Sequence, residues 1–460
     1  MKHFLWDNKA LKDACPAAEL YGTCCGNRIC IDSKRVEEGD IFLALKGENT
    51  DGHEYVLDAF KNGATCAIVE SLPLTPKDHD RLMLVAEARA ALKQLAVFNR
   101  QRSKAKIIAV TGSVGKTSTK EALQLACSAN GSSYCSWGNF NNALGLPISI
   151  ASMPIDSKFG IFELGMNHPG EIKQLTKLLR PHLALITTVS KVHFEHFNSL
   201  KDIALAKGEI FSGMDKNGIA ILNGDDKYYS LLSRLALEQG IVNVCSFGES
   251  FKNESHLLKY EDSKIKARIF NKEIEYEIQA NGKHQAINSI AALAAISKLG
   301  IGLKAAAKAL SAFSSGEGRG AISELRLKKK VILIIDDSYN ASPISVKAAL
   351  QVLQNISGSK RKIAVLGDMR ELGPCAKREH QELAETFEAS GINKLVTVGP
   401  LMKNLFNFVV EAKGLKHFND YNDAKHGILR LIEDGDCILF KGSNGTKVHE
   451  IVKYLKEQAL

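Results

Sequence analysis

Short apolar runs alternate with helix-like segments in the middle of the chain. Each run is four to eight residues long, and most are followed by a segment with helical spacing. Such runs are typical of strands in a mainly parallel sheet that is buried on both faces. They are Ile107–Val110, Ile161–Leu164, Leu183–Val189 and Ile219–Leu222. The Ala-rich segment Ile287–Leu299 has helical spacing, and we expect it to close this unit.

Similar runs on both sides predict two further units. Asp40–Leu45 and Thr65–Glu70 indicate buried strands around a helix near residues 54–62. The stretch Leu72–Asp80 contains two prolines and several charges and is typical of a linker. From about Ala321, apolar runs again alternate with helices, which is the pattern of a smaller doubly wound domain. These runs are Val331–Ile335, Ile363–Leu366, Leu395–Val398 and Cys437–Phe440.

These elements predict an α/β protein of three domains. We expect a small N-terminal α/β domain at residues 1–80, a central parallel-sheet domain at 81–320 and a C-terminal Rossmann-like domain at 321–460. The length of 460 residues is too great for one hydrophobic core. A content of 45% hydrophobic and 24% charged residues is that of a globular protein.

The chain shows no signal for membrane insertion or secretion. It has no uninterrupted apolar stretch of the ~18–20 residues that cross a bilayer. Its first residues, Met1–Asp7, lack the apolar segment of a signal peptide. The ten cysteines are scattered without a Cys-x-x-Cys pair, which indicates reduced thiols. We therefore expect a cytoplasmic protein.

The net charge of +9 raises the question of a nucleic-acid partner. The Lys and Arg residues are spread along the chain, and the densest run, Lys328–Lys330, directly precedes a predicted strand. A modest basic excess equally suits small substrates that carry phosphate and carboxylate groups. The charge by itself leaves both possibilities open.

The strongest local signal is the segment Ile108–Ser118, in which a strand leads into a Gly-rich turn and then into a helix over Thr119–Cys127. Unpaired N–H groups at such a turn and helix start can bind phosphates. Lys116 would reach the β- and γ-phosphates, and the Thr117 hydroxyl would hold Mg²⁺. Val110 stands where the usual pattern has a glycine, so the alternative is a chance turn. The predicted nucleotide-binding residues are Gly112, Ser113, Val114, Gly115, Lys116, Thr117 and Ser118.

Three other residues are weaker candidates. Glu163 ends a predicted central strand, where an open α/β sheet binds its ligands. The alternative is an ordinary acid at a strand end. His193 follows the strand at Leu183–Val189, and its alternative is a solvated or structural histidine. Lys207 lies on a predicted helix, and nothing in the local sequence argues against a surface lysine there.

Taken together, these segments resemble the Mur ligase family in a shared order over more than 400 residues. Two of them, Asp336–Pro343 and Leu366–Gly373, resemble the members of the family that add D-alanyl-D-alanine. The Asp-Asn-Pro-Arg motif of the relative that adds the third amino acid is absent from the sequence. The other similar segments are Ile31–Glu48, Thr111–Ser118, Gly138–Pro147, Glu163–Asn167, Lys191–Asn198, Ala206–Phe211, Asn223–Asp226, Gly282–Asn288, Arg319 and Lys441–Ser443.

The resemblance implies a role for each matching residue. Lys116 and Thr117 would act on the phosphates of ATP and on a first Mg²⁺, and Glu163 and His193 would hold a second Mg²⁺. Lys207 matches a lysine that is carbamylated in many members, and a carbamate can bind a metal whereas an ammonium cannot. Lys116, Lys207 and His193 are thus the catalytic candidates. The remaining implied contacts are Asn288 and Asp337 with the nucleoside, Arg319 with phosphate, and Asp32, Ser33, Asn139 and Asn142 with the UDP-linked substrate.

The resemblance also implies a reaction. ATP would phosphorylate the free carboxylate of a UDP-linked muramoyl tripeptide, and the amine of D-Ala-D-Ala would displace phosphate to form an amide. We expect a monomer that acts on these small molecules and binds no nucleic acid. The alternatives are a related amide ligase with another amine, such as a folate polyglutamylating enzyme, a P-loop switch or binding module, and a degenerate scaffold.

Overall fold

The computed structural model describes residues 4–72, 80–409 and 414–459. Within these residues the strands form three separate sheets, one in each of three successive parts of the chain. The three-sheet α/β organisation predicted from the apolar runs is therefore confirmed.

The N-terminal part folds around a five-stranded sheet among the described residues. Its elements are α1 (Asn8–Ala14), β1 (Glu19–Gly22), β2 (Arg28–Cys30), β3 (Asp40–Leu43), α2 (Val56–Lys61), β4 (Cys66–Val69), β5 (Arg81–Leu84) and α3 (Ala88–Arg102). The strand order is β1-β5-β4-β3-β2, and only the β1–β5 pair is antiparallel.

The first sheet continues beyond the expected domain limit at residue 80. Strand β5 pairs with β4 on one side and with β1 on the other, so the sheet is complete only with Arg81–Leu84. We accordingly propose that this unit ends after β5. Most of the predicted linker Leu72–Asp80, namely residues 73–79, lies outside the described residues.

The central part contains nine strands of one sheet within the described residues. Its elements are β6 (Lys106–Thr111), α4 (Lys116–Ser128), β7 (Ser133–Cys135), α5 (Gly145–Ala151), β8 (Phe159–Glu163), α6 (Glu171–Leu179), β9 (Leu183–Ile186), α7 (Leu200–Gly208), β10 (Ile219–Asn223), α8 (Tyr229–Glu238), β11 (Asn243–Gly248), β12 (Ser255–Glu261), β13 (Lys264–Ile269), β14 (Lys272–Glu277), α9 (Lys283–Lys298) and α10 (Leu303–Ala309). The strand order is β14-β13-β12-β11-β10-β9-β6-β8-β7.

The central strands are apolar throughout because both of their faces are covered. Ile108 and Val110 of β6 pack on the side of α4 and α9, whereas Ile107 and Ala109 pack into a second core on the opposite face. Successive side chains of a strand point to opposite faces, so a strand covered on both sides has no polar alternation. The same arrangement sets Glu163, the last residue of β8, beside the start of α4.

The sheet is parallel from β7 to β12, and an antiparallel extension then follows from β12 to β14. The apolar runs did not predict this extension. Its signal is an alternation of polar and apolar residues in β13, where Ile265, Ala267 and Ile269 are buried. One face of these strands is exposed, which permits antiparallel hairpins.

The C-terminal part forms a six-stranded sheet within the described residues. Its elements are β15 (Ala321–Leu327), β16 (Lys330–Asp337), α11 (Pro343–Asn355), β17 (Arg361–Gly367), α12 (Ala376–Gln381), α13 (Leu383–Ala389), β18 (Lys394–Val398), α14 (Lys403–Phe406), β19 (Lys416–Phe418), α15 (Tyr421–Leu431), β20 (Asp436–Lys441) and α16 (Val448–Glu457). The order is β15-β16-β20-β17-β18-β19, and only the β15–β16 pair is antiparallel. The four strands predicted here from apolar runs are all present. Among the described residues, no helix has the length and apolar character needed to cross a membrane.

Candidate active site

The turn between β6 and α4 requires glycine at two positions. Gly112 has φ +150°, and a Cβ there would lie 1.8 Å from Thr187 Oγ1. Gly115 has φ +84° in the left-handed region, and a Cβ there would lie 3.0 Å from Asn288 Oδ1. Gly115 directly precedes α4 and provides no side chain to cap it. The N–H groups at the start of this helix thus remain available for an anion.

Lys116 folds back over this turn. Its Nζ donates hydrogen bonds to the carbonyl oxygens of Gly112 at 2.8 Å and Ser113 at 3.4 Å. Burial lowers the pKa of Lys116, and the nearby charge of Glu163 opposes that shift. The ammonium is therefore located at the turn between β6 and α4, and its hydrogen bonds within the described residues go only to carbonyl oxygens.

Glu163 is held at the carboxyl end of β8 by two neutral donors. The Thr117 hydroxyl donates to Oε2 at 2.8 Å, and Asn141 Nδ2 donates to Oε1 at 2.8 Å. Glu163 is 3% exposed, and among the described residues its side chain accepts only these two neutral hydrogen bonds, while the charge of Lys116 lies near it without forming a salt bridge. A buried carboxylate without a directly bonded counter-ion is costly, so this position favours a bound cation.

The segment Gly138–Pro147, in which Asn139 and Asn142 are predicted substrate contacts, also places an asparagine that was not predicted against Glu163. Asn141, rather than Asn139 or Asn142, contacts Glu163. Asn142 Oδ1 instead accepts the N–H groups of Leu144 and Gly145 at the start of α5. Asn139 is exposed. The run of asparagines was visible in the sequence, but only the tertiary structure distinguishes its members.

Lys207 is not a surface lysine. Its side chain is 4% exposed near the end of α7, and it has no hydrogen-bond or salt-bridge partner within the described residues. Burial and the charge of Lys116 lower the pKa of Lys207 well below its usual value. The neutral amine is thereby favoured, and a neutral amine is a nucleophile.

His193 contacts the C-terminal domain instead of Glu163. It has φ +56° directly before a 3₁₀ helix at Phe194–His196, and its Nδ1 lies 2.5 Å from Glu371 Oε2. The hydrogen bond with His193 lowers the pKa of Glu371. Across the described residues, no three His, Cys, Asp or Glu side chains are grouped as a metal site. Thr117 is thus hydrogen-bonded to Glu163, whereas His193 is bonded to Glu371 of the C-terminal domain.

A cavity of about 330 Å³ lies between the central and C-terminal domains. Seven predicted nucleotide-binding residues line it, and Gly112, Lys116 and Thr117 of the same turn do not. The seven are Ser113, Val114, Gly115, Ser118, Asn288, Arg319 and Asp337.

The C-terminal wall of this cavity carries two side-chain pairs that the sequence analysis did not predict. The Arg319 guanidinium lies 4.0 Å from the centre of the Tyr339 ring. Lys441, whose side chain is 2% exposed, forms an ion pair with Asp337 at 2.7 Å. Tyr339 and Lys441 both lie in segments that resemble the Mur ligase family. That resemblance was the sequence signal that could have identified them.

A second cavity, of about 210 Å³, lies between the N-terminal and central domains. Asp32 lines it, and Ser33 is buried in the adjacent 3₁₀ turn. The guanidinium groups of Arg28 and Arg35 lie 5.9 and 5.5 Å from the ring centre of Trp137. The cavity thus combines aromatic surface with two cations at its edge.

Family models match three successive parts of the chain. They are described as "Mur ligase family, catalytic domain" over residues 27–102, "Mur ligase middle domain" over 110–296, and "Mur ligase, glutamate ligase domain" over 323–444. The chain belongs to the Mur ligase family.

Individual relatives are similar over nearly the whole chain. A protein from Rickettsia prowazekii (strain Madrid E), named UDP-N-acetylmuramoyl-tripeptide--D-alanyl-D-alanine ligase, is 39% identical over 98% of this chain and 99% of its own length. A crystal structure of MurF from Acinetobacter baumannii superposes with TM-score 0.83 at 31% identity, covering 98% of this chain and 99% of that one. MurF ligase from Thermotoga maritima in complex with ADP has TM-score 0.75 at 26% identity, covering 94% and 97%.

Proposed function

We propose that this chain is an ATP-dependent ligase that joins UDP-N-acetylmuramoyl-tripeptide to D-alanyl-D-alanine. The product is the UDP-linked pentapeptide used in peptidoglycan synthesis. The observation that carries the proposal is the similarity over 98% of the chain to a relative that bears this name. Similarity of this extent to ligases does not favour the alternative of a nucleotide-dependent switch.

The larger cavity is the proposed ATP site. The free N–H groups at the start of α4 and the ammonium of Lys116 suit the phosphates. Asn288, Arg319 and Asp337 line the same cavity and suit the rest of the nucleotide. The ADP complex of the relative from Thermotoga maritima supports nucleotide binding by this fold.

Thr117 and Glu163 are the residues proposed to hold a first Mg²⁺. Their hydroxyl and carboxylate oxygens are the donor type that Mg²⁺ takes, and Glu163 is buried with only neutral hydrogen-bond donors among the described residues. A second Mg²⁺ would use Glu163, His193 and a carbamate on Lys207. When bound, the ions would neutralise negative charge while one anion attacks another.

The carbamate would form from Lys207 itself. Its neutral amine would attack CO₂, and loss of one proton would leave a carbamate on Nζ. Burial favours the neutral amine that this reaction needs. The carbamate converts an unpaired buried amine into an oxygen ligand, which explains a lysine at a position without a protein partner.

The chemical sequence has two steps. The tripeptide carboxylate attacks the γ-phosphorus of ATP, so that ADP leaves and an acyl phosphate forms. The dipeptide amine then attacks the acyl carbon, inorganic phosphate leaves and the amine loses a proton. The Lys116 ammonium would move from the Gly112 and Ser113 carbonyls to the transferring phosphoryl group and offset its charge.

The smaller cavity is the proposed site for the UDP end of the substrate. Trp137 offers a flat aromatic face, and the exposed Arg35 beside it offers a cation for a diphosphate, whereas the Arg28 guanidinium already pairs with Asp40. ATP and UDP-linked sugars are cytoplasmic metabolites, so the proposed location of the reaction is the cytoplasm.

The test is release of phosphate from ATP by the purified chain. We expect turnover only when UDP-MurNAc-tripeptide and D-Ala-D-Ala are both present, with the UDP-linked pentapeptide detected by mass spectrometry. Equal turnover with a single amino acid in place of the dipeptide would contradict the assignment.

A further inference from the structure

The segment Leu366–Gly373 has no role in the proposed reaction, yet it contacts the candidate metal ligand His193. Glu371 approaches this histidine from the C-terminal domain, and its Oε2 lies 2.5 Å from His193 Nδ1. In a neutral imidazole this contact fixes the proton on Nδ1, which donates to the carboxylate. Nε2 then carries the lone pair that a metal can accept.

The position of the Glu371 side chain is fixed by contacts that the Glu371 backbone makes. Glu371 has φ +62°, and its carbonyl oxygen accepts the N–H of Glu195 at 3.2 Å. Gly373 lies against the same segment, because a Cβ there would be 3.0 Å from Glu195 Cα. The backbone and the side chain of Glu371 therefore both contact residues 193–195.

The base of this loop is also fixed. His380 Nε2 accepts the N–H of Met369 at 3.0 Å, and His380 Nδ1 donates to the carbonyl oxygen of Ala376 at 2.6 Å. Leu372 is 1% exposed. Glu371 is thus presented by a rigid loop, which is what a residue that orients another side chain requires.

A neighbouring contact joins the same two segments without touching His193. Lys191 pairs with Glu379, whose side chain is 7% exposed. This pair contributes to docking of the C-terminal domain on the loop after β9. We expect it to serve as a matched comparison, because its removal should weaken docking without removing either partner of the His193–Glu371 contact.

We propose that Glu371 is a positioning residue that sets the tautomer and ring orientation of His193 for metal binding from across the domain boundary. The inference rests on the proposed role of His193 as a metal ligand. Loss of a carboxylate that accepts the second N–H of a metal-binding histidine typically lowers metal affinity by roughly 10- to 100-fold. Here Glu371 belongs to the C-terminal domain, whereas the ligand His193 belongs to the central domain.

The experiment is titration of the full-length protein with Mn²⁺ in the presence of ADP, with free Mn²⁺ measured by electron paramagnetic resonance. His193→Ala gives the loss of affinity caused by removing the ligand. We expect Glu371→Ala to weaken the same site by about 10- to 100-fold, and Glu371→Gln, which keeps an acceptor oxygen, to weaken it less. Glu379→Gln should stay within about twofold of the unmodified protein.

Each outcome decides between the two proposals. If His193→Ala weakens Mn²⁺ binding and Glu371→Ala does not, the positioning role is wrong while the metal role of His193 stands. If His193→Ala changes nothing, both are wrong. If Glu379→Gln costs as much as Glu371→Ala, general docking explains the effect and Glu371 has no specific role. In the double variant, His193→Ala with Glu371→Ala, we expect no loss beyond that of His193→Ala.

Discussion

The central and C-terminal domains contribute to the larger cavity in different ways. The central domain lines it with consecutive residues of the short turn between β6 and α4, namely Ser113, Val114 and Gly115, whose backbone leads into the start of the helix. The C-terminal domain offers side chains that work in pairs, such as Asp337 with Lys441, which join strands β16 and β20. The comparison shows that a backbone site can be encoded locally, whereas a side-chain site depends on tertiary pairing.

The largest expected effect is in the central domain. Lys116→Ala removes the cation at the phosphate-binding turn and should lower kcat about 10²- to 10³-fold, as expected for the loss of one group that stabilises developing charge. Steady-state phosphate release measures this. Lys106→Ala, at the exposed start of β6, the strand that leads into this turn, should have wild-type activity. Equal losses in both variants would mean that the effect does not come from the Lys116 ammonium.

The next effect concerns Lys207. Lys207→Ala should lower kcat about 10²-fold, because the proposed carbamate ligand is lost. With ¹³C-bicarbonate, carbon NMR should show a carbamate signal that this variant lacks. Lys201→Ala, an exposed lysine of the same helix, is the control. Full activity of Lys207→Ala would disprove the carbamate proposal.

In the C-terminal domain, Lys441→Met leaves Asp337 without its ion-pair partner. We expect the free energy of unfolding to fall by about 2–4 kcal/mol, since breaking a buried pair leaves an uncompensated charge. The KM for ATP should rise about tenfold, equivalent to about 1.4 kcal/mol. Urea denaturation and steady-state kinetics measure these quantities.

Two further variants sharpen this prediction. Lys441→Met combined with Asp337→Asn should lose less stability than Lys441→Met alone, because the unpaired charge is gone. Arg326→Gln breaks an exposed pair with Glu324 in the same domain and should cost no more than about 1 kcal/mol. Additive losses at Lys441 and Asp337 would show that the two residues act separately.

The smallest effect comes from the loop that presents Glu371. Burial lowers the pKa of His380 below its ordinary 6.5. As the pH falls, this histidine is therefore protonated in the unfolded chain before it is protonated in the folded protein. Stability is retained above about pH 6.5 and falls as the pH decreases below it, by no more than about 1.4 kcal/mol per pH unit for one group. Denaturation between pH 8 and 5 should show a smaller pH dependence for His380→Gln than for the unmodified protein. An unchanged pH dependence would exclude His380 as the group responsible.

The central domain could be predicted largely from the sequence. Four of its parallel strands contain continuous apolar runs, and the turn at Gly112–Thr117 is contiguous, so these signals lie within a few residues of one another. The sequence did not indicate that β5, which follows the predicted linker, joins the first sheet through its pairing with β1 and β4, which is why we propose a later limit for the first domain. Strand pairing is not local in sequence.

The sequence by itself determined the three α/β units, the Gly-rich turn between β6 and α4 and the acid at the end of β8, because periodicity and local motifs encode them. Only the tertiary structure decided that Lys207 is buried without a partner, that Asn141 contacts Glu163, and that His193 meets Glu371. Burial and pairing between distant residues depend on how the domains pack. The pattern of residues around each position does not contain that information.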